Sequence, residues 1–187
     1  MRSDSLVAFI PIGAPLSLVA GAGVVIPSTN IIDLLGQGVG TAPTSIIGNV
    51  ALFGTDLGVG GLRPELNVSV GTAFTGAGGQ LLKIALQAAP DLGAGGSYQP
   101  GTWVDVVSQD NIALANLTAG AIPFRSPWIP DMPPNLRPRY MRLLFSPMTS
   151  SALPSGSFTA GTIASALVTT VRDDQANKYA AKNYSVA

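Results

Sequence analysis

An all-β fold, a jelly-roll-like antiparallel β-sandwich, is what this 187-residue chain predicts, and three observations carry the prediction. Short apolar runs are punctuated at frequent intervals by 22 Gly and 15 Pro, about a fifth of the residues, where a soluble protein has roughly 12%. Two of those runs alternate apolar and polar residues with the period of two that a half-buried strand requires. Helix signals are confined to the last residues of the chain.

The elements follow in order. Ser5 to Ile32 is uncharged and largely apolar. Arg2, the run Leu6–Ile10 and the small residues Ala20-Gly21-Ala22 imitate a targeting segment, but Asp4 and the prolines at 11, 15 and 27 oppose both a leader and a membrane-spanning helix. We read residues 1–27 as an N-terminal extension or arm. Ser17–Ile26 and Asn30–Leu34 are weak strand candidates, and the glycine-rich stretch from Gly36 to Gly61 reads as a long loop with one short strand at Ile46–Phe53.

Leu66-Asn67-Val68-Ser69-Val70 alternates cleanly, as does Leu82-Lys83-Ile84-Ala85-Leu86-Gln87. The glycines at 71, 76, 78 and 79 between them suit a turn, so the two runs read as adjacent strands. Further strands are expected at Trp103–Ser108, Ile112–Leu114, Ala121–Arg125, Arg139–Ser146 and Phe158–Val171, the last bent at Gly161. Residues 28–172 thus form the sandwich domain. The polar tail 173–187 carries Lys178, Tyr179, Lys182 and Tyr184, with Asp174 and Lys178 at the spacing that supports one helical turn.

Composition excludes much chemistry. With no His and no Cys, the Ser-His-Asp and Cys-His nucleophile systems, thiolate zinc sites and imidazole ligation are all absent. Charged residues are 11% and cancel to a net charge of zero, so nothing steers the chain to nucleic acid or an anionic membrane. Asp105 and Asp110 are the nearest approach to a carboxylate pair, and aspartates there read more simply as turn or capping residues. The glycine clusters at 36–40 and 58–61 lack the Lys-Ser or Lys-Thr pair and the following helix of a phosphate-binding loop. No catalytic, cofactor-binding or metal-ligating residue is expected.

Arg125, Arg137, Arg139 and Arg142 form the one basic bias, interleaved with Trp128 and Tyr140. In a strand, Arg139 shares a face with Met141, Leu143 and Phe145, and Arg142 shares the other with Tyr140 and Leu144. The arginines therefore split instead of forming a stripe for nucleic acid, and ion pairs at a strand start, within the chain or across a subunit interface, suit them better. The proline-set segment from Pro123 to Pro134 either closes one end of the sandwich or presents Phe124, Trp128 and Met132 as contact anchors. The candidate protein-interface residues are accordingly Phe124, Arg125, Trp128, Met132, Arg137, Arg139, Tyr179 and Tyr184. Glycosylation sequons at Asn67, Asn116 and Asn183 carry little weight without a secretory signal.

Seven segments together carry a family likeness: Ser28–Leu34, Asp56–Gly60, Val70–Thr75, Leu86–Gln87, Ala115–Gly120, Arg139–Leu143 and Thr159–Ile163. Through them, over roughly residues 28 to 172, the chain resembles the capsid cement (decoration) proteins of tailed bacteriophages, in particular the group typified by a Bordetella phage cement protein. The resemblance implies a jelly-roll sandwich and a non-enzymatic role without cofactor. Copies of the chain, as a dimer or trimer, would bind the outer face of a shell of major capsid protein and bridge its subunits. The implied location is the virion surface after synthesis in the host cytoplasm, with no direct nucleic-acid or membrane contact. The N-terminal extension, the longer 36–55 stretch, the prolines near Trp128 and the tail depart from the pattern. Two rivals stand beside it: a carbohydrate- or receptor-binding sandwich using Tyr98, Trp103 and Trp128 as stacking platforms, and a jelly-roll glycoside hydrolase or lyase with two facing carboxylates.

Overall fold

The computed structural model describes residues 2–34, 51–54, 64–93, 99–127, 136, 138–149 and 154–170. Among them thirteen strands form: β1 (Arg2–Ile10), β2 (Leu16–Ser17), β3 (Ile26–Pro27), β4 (Asn30–Asp33), β5 (Ala51–Gly54), β6 (Pro64–Val70), β7 (Thr75–Gly76), β8 (Leu81–Ala89), β9 (Val104–Ala113), β10 (Phe124–Pro127), β11 (Tyr140–Met148), β12 (Phe158–Ala160) and β13 (Thr162–Thr170). The one helical element among the described residues is a 3-10 turn at Leu114–Asn116. No described helix is long and apolar enough to cross a membrane.

The strands build an antiparallel sandwich. One sheet runs β1-β13-β6-β10 with β2 added on β13, and the other runs β5-β4-β11-β8-β9 with β3 added on β11. Among the described strands only β4 and β5 pair in parallel. Among the longer strands, β1 lies on β13, β4 on β11, β6 on β10 and β8 on β9, so the chain is a nested series of antiparallel pairs.

Alternation explains the core. Leu66, Val68 and Val70 of β6 face Leu82, Ile84, Leu86 and Ala88 of β8 and Met141, Leu143 and Phe145 of β11, all 0–2% exposed. At about 1.5–3 kcal/mol per large side chain removed from water, these two inner faces hold the sheets together. Phe124 of β10 joins the same cluster.

The expected strands at 66–70, 82–87 and 139–146 are present in slightly longer form, and Gly161 does divide the last run, at φ +141. Three expectations require correction. First, β6 and β8 are not neighbours: the 71–80 connection carries the chain from one sheet to the other, because both runs have their apolar residues turned to the shared core. Second, residues 1–27 are not an arm. β1 pairs along β13, Phe9, Ile10 and Leu18 are fully buried, and the buried Asn30 donates from Nδ2 to the Ala8 carbonyl at 2.7 Å, tying the two sheets. The absence of charge that suggested a separate extension is what lets this segment enter the core. Third, the two runs expected at 103–108 and 112–114 are one strand, β9 (Val104–Ala113), interrupted by bulges, with Leu114 starting the 3-10 turn. The 36–50 and 55–61 stretches, and the tail with its proposed turn, lie outside the described residues.

Candidate functional site

The outer face of the second sheet carries the chain's most organised polar constellation. It begins with strand register. Asp105 of β9, Gln87 of β8 and Arg142 of β11 stand opposite one another across three strands. A register slip between Leu86 and Gln87 makes Val106 the extra residue on β9, and this sets Asp105 opposite Gln87. The buried Gln87 amide then bridges the row: its Nε2 donates to Asp105 Oδ1 at 2.7 Å, and its Oε1 accepts from Arg142 Nε at 2.8 Å. Trp103 lies beneath the guanidinium, 4.2 Å from ring centroid to Cζ, within the range of a cation–π contact.

A second bulge completes the row. Leu82 pairs with Ile112 and Ile84 with Gln109, so Asp110 and Asn111 together oppose Lys83. Asn111 absorbs the extra residue at φ +56, a left-handed conformation that Asn tolerates better than most residues. Lys83 Nζ lies 2.9 Å from Asp105 and 3.8 Å from Asp110. Burial opposes ionisation of Asp105, but the Gln87 amide and the Lys83 ammonium outweigh it and hold its carboxyl below the usual range. The Asp105 hydrogen bond in turn raises Lys83. Arg142 is shifted the other way: partial burial lowers it more than Asp105 raises it.

At the start of β11 a second cluster forms. Arg139 Nη1 donates to Asp91 Oδ2 at 2.6 Å, Nη2 to Asp33 Oδ2 at 3.1 Å and Nε to Asp33 at 3.2 Å. Burial costs the guanidinium something, but the two carboxylates raise it well above its ordinary value. Asp91 is held low: its desolvation is outweighed by the N–H groups of Gly93 and Gln99 together with Arg139. Tyr140, fully buried beside this cluster, has a hydroxyl with no hydrogen-bond partner, and burial pushes it up to about 12.

Of the residues expected at an interface, Phe124 is 2% exposed in the chain's own core, so its side chain is not a surface anchor. Alternation decides this, since Phe124 is paired with the inward-facing Val68. Its neighbour Arg125 is exposed on the outer side of the edge strand β10. Arg139 makes the ion pairs expected at a strand start, and makes them within the chain. Trp128, Met132, Arg137, Tyr179 and Tyr184 lie outside the described residues. The Arg142–Trp103 stack was not anticipated: the sequence gives both residue types, but 39 positions and an unforeseen bulge separate them.

Two other surfaces stand out. A neutral groove of about 480 Å³ beside the end of β9 and the approach to β10 is lined by Gln109, Asn111, Asn116, Thr118, Ile122 and Pro123 among others. Ile12, Val19, Val24 and Val25 are exposed, at 71, 52, 47 and 39%, on the two connections that join β1 to β2 and β2 to β3. No three acidic side chains among the described residues gather where they could hold a metal ion. Asp105 and Asp110 share Lys83, and Asp33 and Asp91 share Arg139, so each of these carboxylates already faces a cation.

Hydrogen bonds and ion pairs also join several segments that are distant in sequence. Ser28 accepts from the Leu143 N–H and donates to the Asn30 carbonyl, Asn30 ties β1, Asp33 binds Arg139, and Gln87 binds Arg142. A second group meets at one end of the sandwich. There the Thr162 hydroxyl and carbonyl accept from Thr72 and Gly71, Phe74 N–H donates to the Leu117 carbonyl, and the Phe74 ring covers Gly161 where a Cβ would otherwise stand. No protein-family model and no curated protein matches this chain.

Proposed function

We propose that this chain is a structural virion protein that binds the outside of a phage capsid as a small homo-oligomer, dimer or trimer, and cements neighbouring major capsid protein subunits. The observation that carries the reading is the convergence of the resemblance-bearing segments. Ser28–Leu34, Leu86–Gln87 and Arg139–Leu143 meet in one hydrogen-bonded node, and Val70–Thr75, Ala115–Gly120 and Thr159–Ile163 in another, while Asp56–Gly60 lies outside the described residues.

The connectivity supports the jelly-roll reading. With the two- and three-residue strands and the parallel-paired β5 set aside, the eight remaining strands pair first with last, second with seventh, third with sixth and fourth with fifth in chain order, as a long hairpin rolled over itself requires. The exposed valines and Ile12 supply apolar surface of the kind a partner covers. Repetition over a shell multiplies modest contacts of this kind. Four carboxylates engaged with cations, two of them held below their usual range, favour a binding role over general acid catalysis.

Cosedimentation of the purified chain with assembled shells from the same genome, followed by electron microscopy with and without it, tests the reading. Added density over subunit junctions and a higher shell melting temperature are expected; no added density overturns it. Deleting residues 173–187 and measuring occupancy asks separately whether the tail contributes. One observation favours the alternative of a carbohydrate- or receptor-binding module, the neutral amide-lined groove near Asn111 and Asn116. Trp103 speaks against it, since Arg142 already covers one face of its ring.

A further inference from the structure

We infer that Arg142 is a preorganised anchor for a carboxylate of a partner protein. The guanidinium has five N–H donors, and among the described residues one of them is used, Nε to Gln87 at 2.8 Å. Stacking on Trp103 at 4.2 Å fixes the plane of the group. The Gln87 amide, itself held by Asp105, fixes its rotation. What remains is the terminal N–H groups of a half-buried side chain on the outer face of the sheet, with no ion-pair partner among the described residues. Among the described residues Lys83 and Arg139, by contrast, have two carboxylates each.

A partly desolvated cation that reaches its nearest carboxylate, Asp105, only through the Gln87 amide carries a standing cost, and an incoming carboxylate removes it through two parallel hydrogen bonds. Because the side chain is already immobilised, binding loses little of the entropy that a free arginine would forfeit. The surroundings select the class of anion. Lys83 and Arg142 against Asp105 and Asp110 leave the patch with no net positive charge, which disfavours a phosphate polymer. The Trp103 ring against the guanidinium supplies the apolar contact that a charged anchor at a protein interface needs. In the setting proposed above, and resting on that reading, the carboxylate belongs to an acidic side chain of the shell protein.

Two measurements separate this inference from the cement proposal. The first is an NMR titration of the Arg142 Nε–H resonance with sodium acetate, against sodium chloride at equal ionic strength. A saturable shift with acetate alone is expected, and it disappears in Q87A, whose loss frees the guanidinium to rotate. Identical shifts with both salts overturn the inference, as does saturation by inorganic phosphate far below the acetate range. The second is shell occupancy of R142Q and R142K, each checked for an unchanged melting temperature. Half-saturation weakened about tenfold or more is expected for both, since lysine restores charge without the fork. Unchanged half-saturation for both variants on shells that bind the native chain overturns the inference and leaves the cement reading standing. An acetate-specific shift in a chain that binds no shell sinks the cement reading alone.

Discussion

At the scale of single residues, the buried ion cluster decides the largest effects. Removing the Arg139 guanidinium takes from Asp33, 4% exposed, an ion pair at 3.1 Å. Breaking one side of such a pair typically costs about 3–5 kcal/mol. R139A is expected to lose stability in that range by urea unfolding, and R139K to recover only part of it, because one ammonium cannot span Asp33 and Asp91 as the fork does. Tyr140 next door behaves oppositely. Its hydroxyl is buried and unpartnered, so Y140F is expected to leave stability unchanged or raise it by up to about 1 kcal/mol. The same substitution should remove a phenolate absorbance step near pH 12. That Arg139 would pair at a strand start was legible from its neighbours in sequence. Its partners were not: Asp33 and Asp91 lie 106 and 48 residues away, and only strand register brings them together.

At the scale of elements, β1 and the Gly161 bend give the clearest tests. Deleting residues 1–10 strips Phe9 and Ile10 from the core and exposes the side of β13. The truncated chain is expected to lose cooperative melting by circular dichroism, whereas removal of a dispensable arm would leave the melt intact. Gly161 sits at φ +141 with the Phe74 ring where a Cβ would go, and Phe74 is locked edge-on against Phe158 at 5.0 Å. G161A is therefore expected to cost more than about 1 kcal/mol in denaturant midpoint measurements. Period-two alternation made β6, β8 and β11 legible, because burial of one face dictates it locally. It could not tell which sheet each strand joins, since inward-facing residues of both sheets look alike; hence β6 and β8 read as neighbours and are not. The two bulges of β9 were invisible for a related reason. Nothing in Asp105-Val106-Val107 or Asp110-Asn111 marks an extra residue until the partner strand is known, yet those bulges set the Arg142 row in place.

At the scale of the whole molecule, the absence of histidine and cysteine becomes a statement about pH. Asp91 and Asp105 have folded-state values below 3.8, so what they contribute is present above that pH and lost as pH falls through the lowered values. Lys83 lies above 10.5 when folded, so its contribution is present below that pH and lost as pH rises further. No side chain with an intermediate ordinary value exists to titrate between. The melting temperature is expected to be nearly flat from about pH 5 to pH 9 and to fall at both ends. D105N should shrink the acid limb, read by differential scanning calorimetry.

The pairing of β1 with β13 has a kinetic side. Arg2 finds its partner in Thr170, at the opposite end of the described residues, so β1 stays unpaired until synthesis has passed β13. Closing such a distant contact slows folding toward the millisecond-to-second range of non-local β topologies. Throughout that wait Phe9 and Ile10 are open to other copies of the chain. Dilution, more than temperature or salt, is then the lever that decides how much of a refolding sample reaches the sandwich and how much is lost to clumping through its first strand.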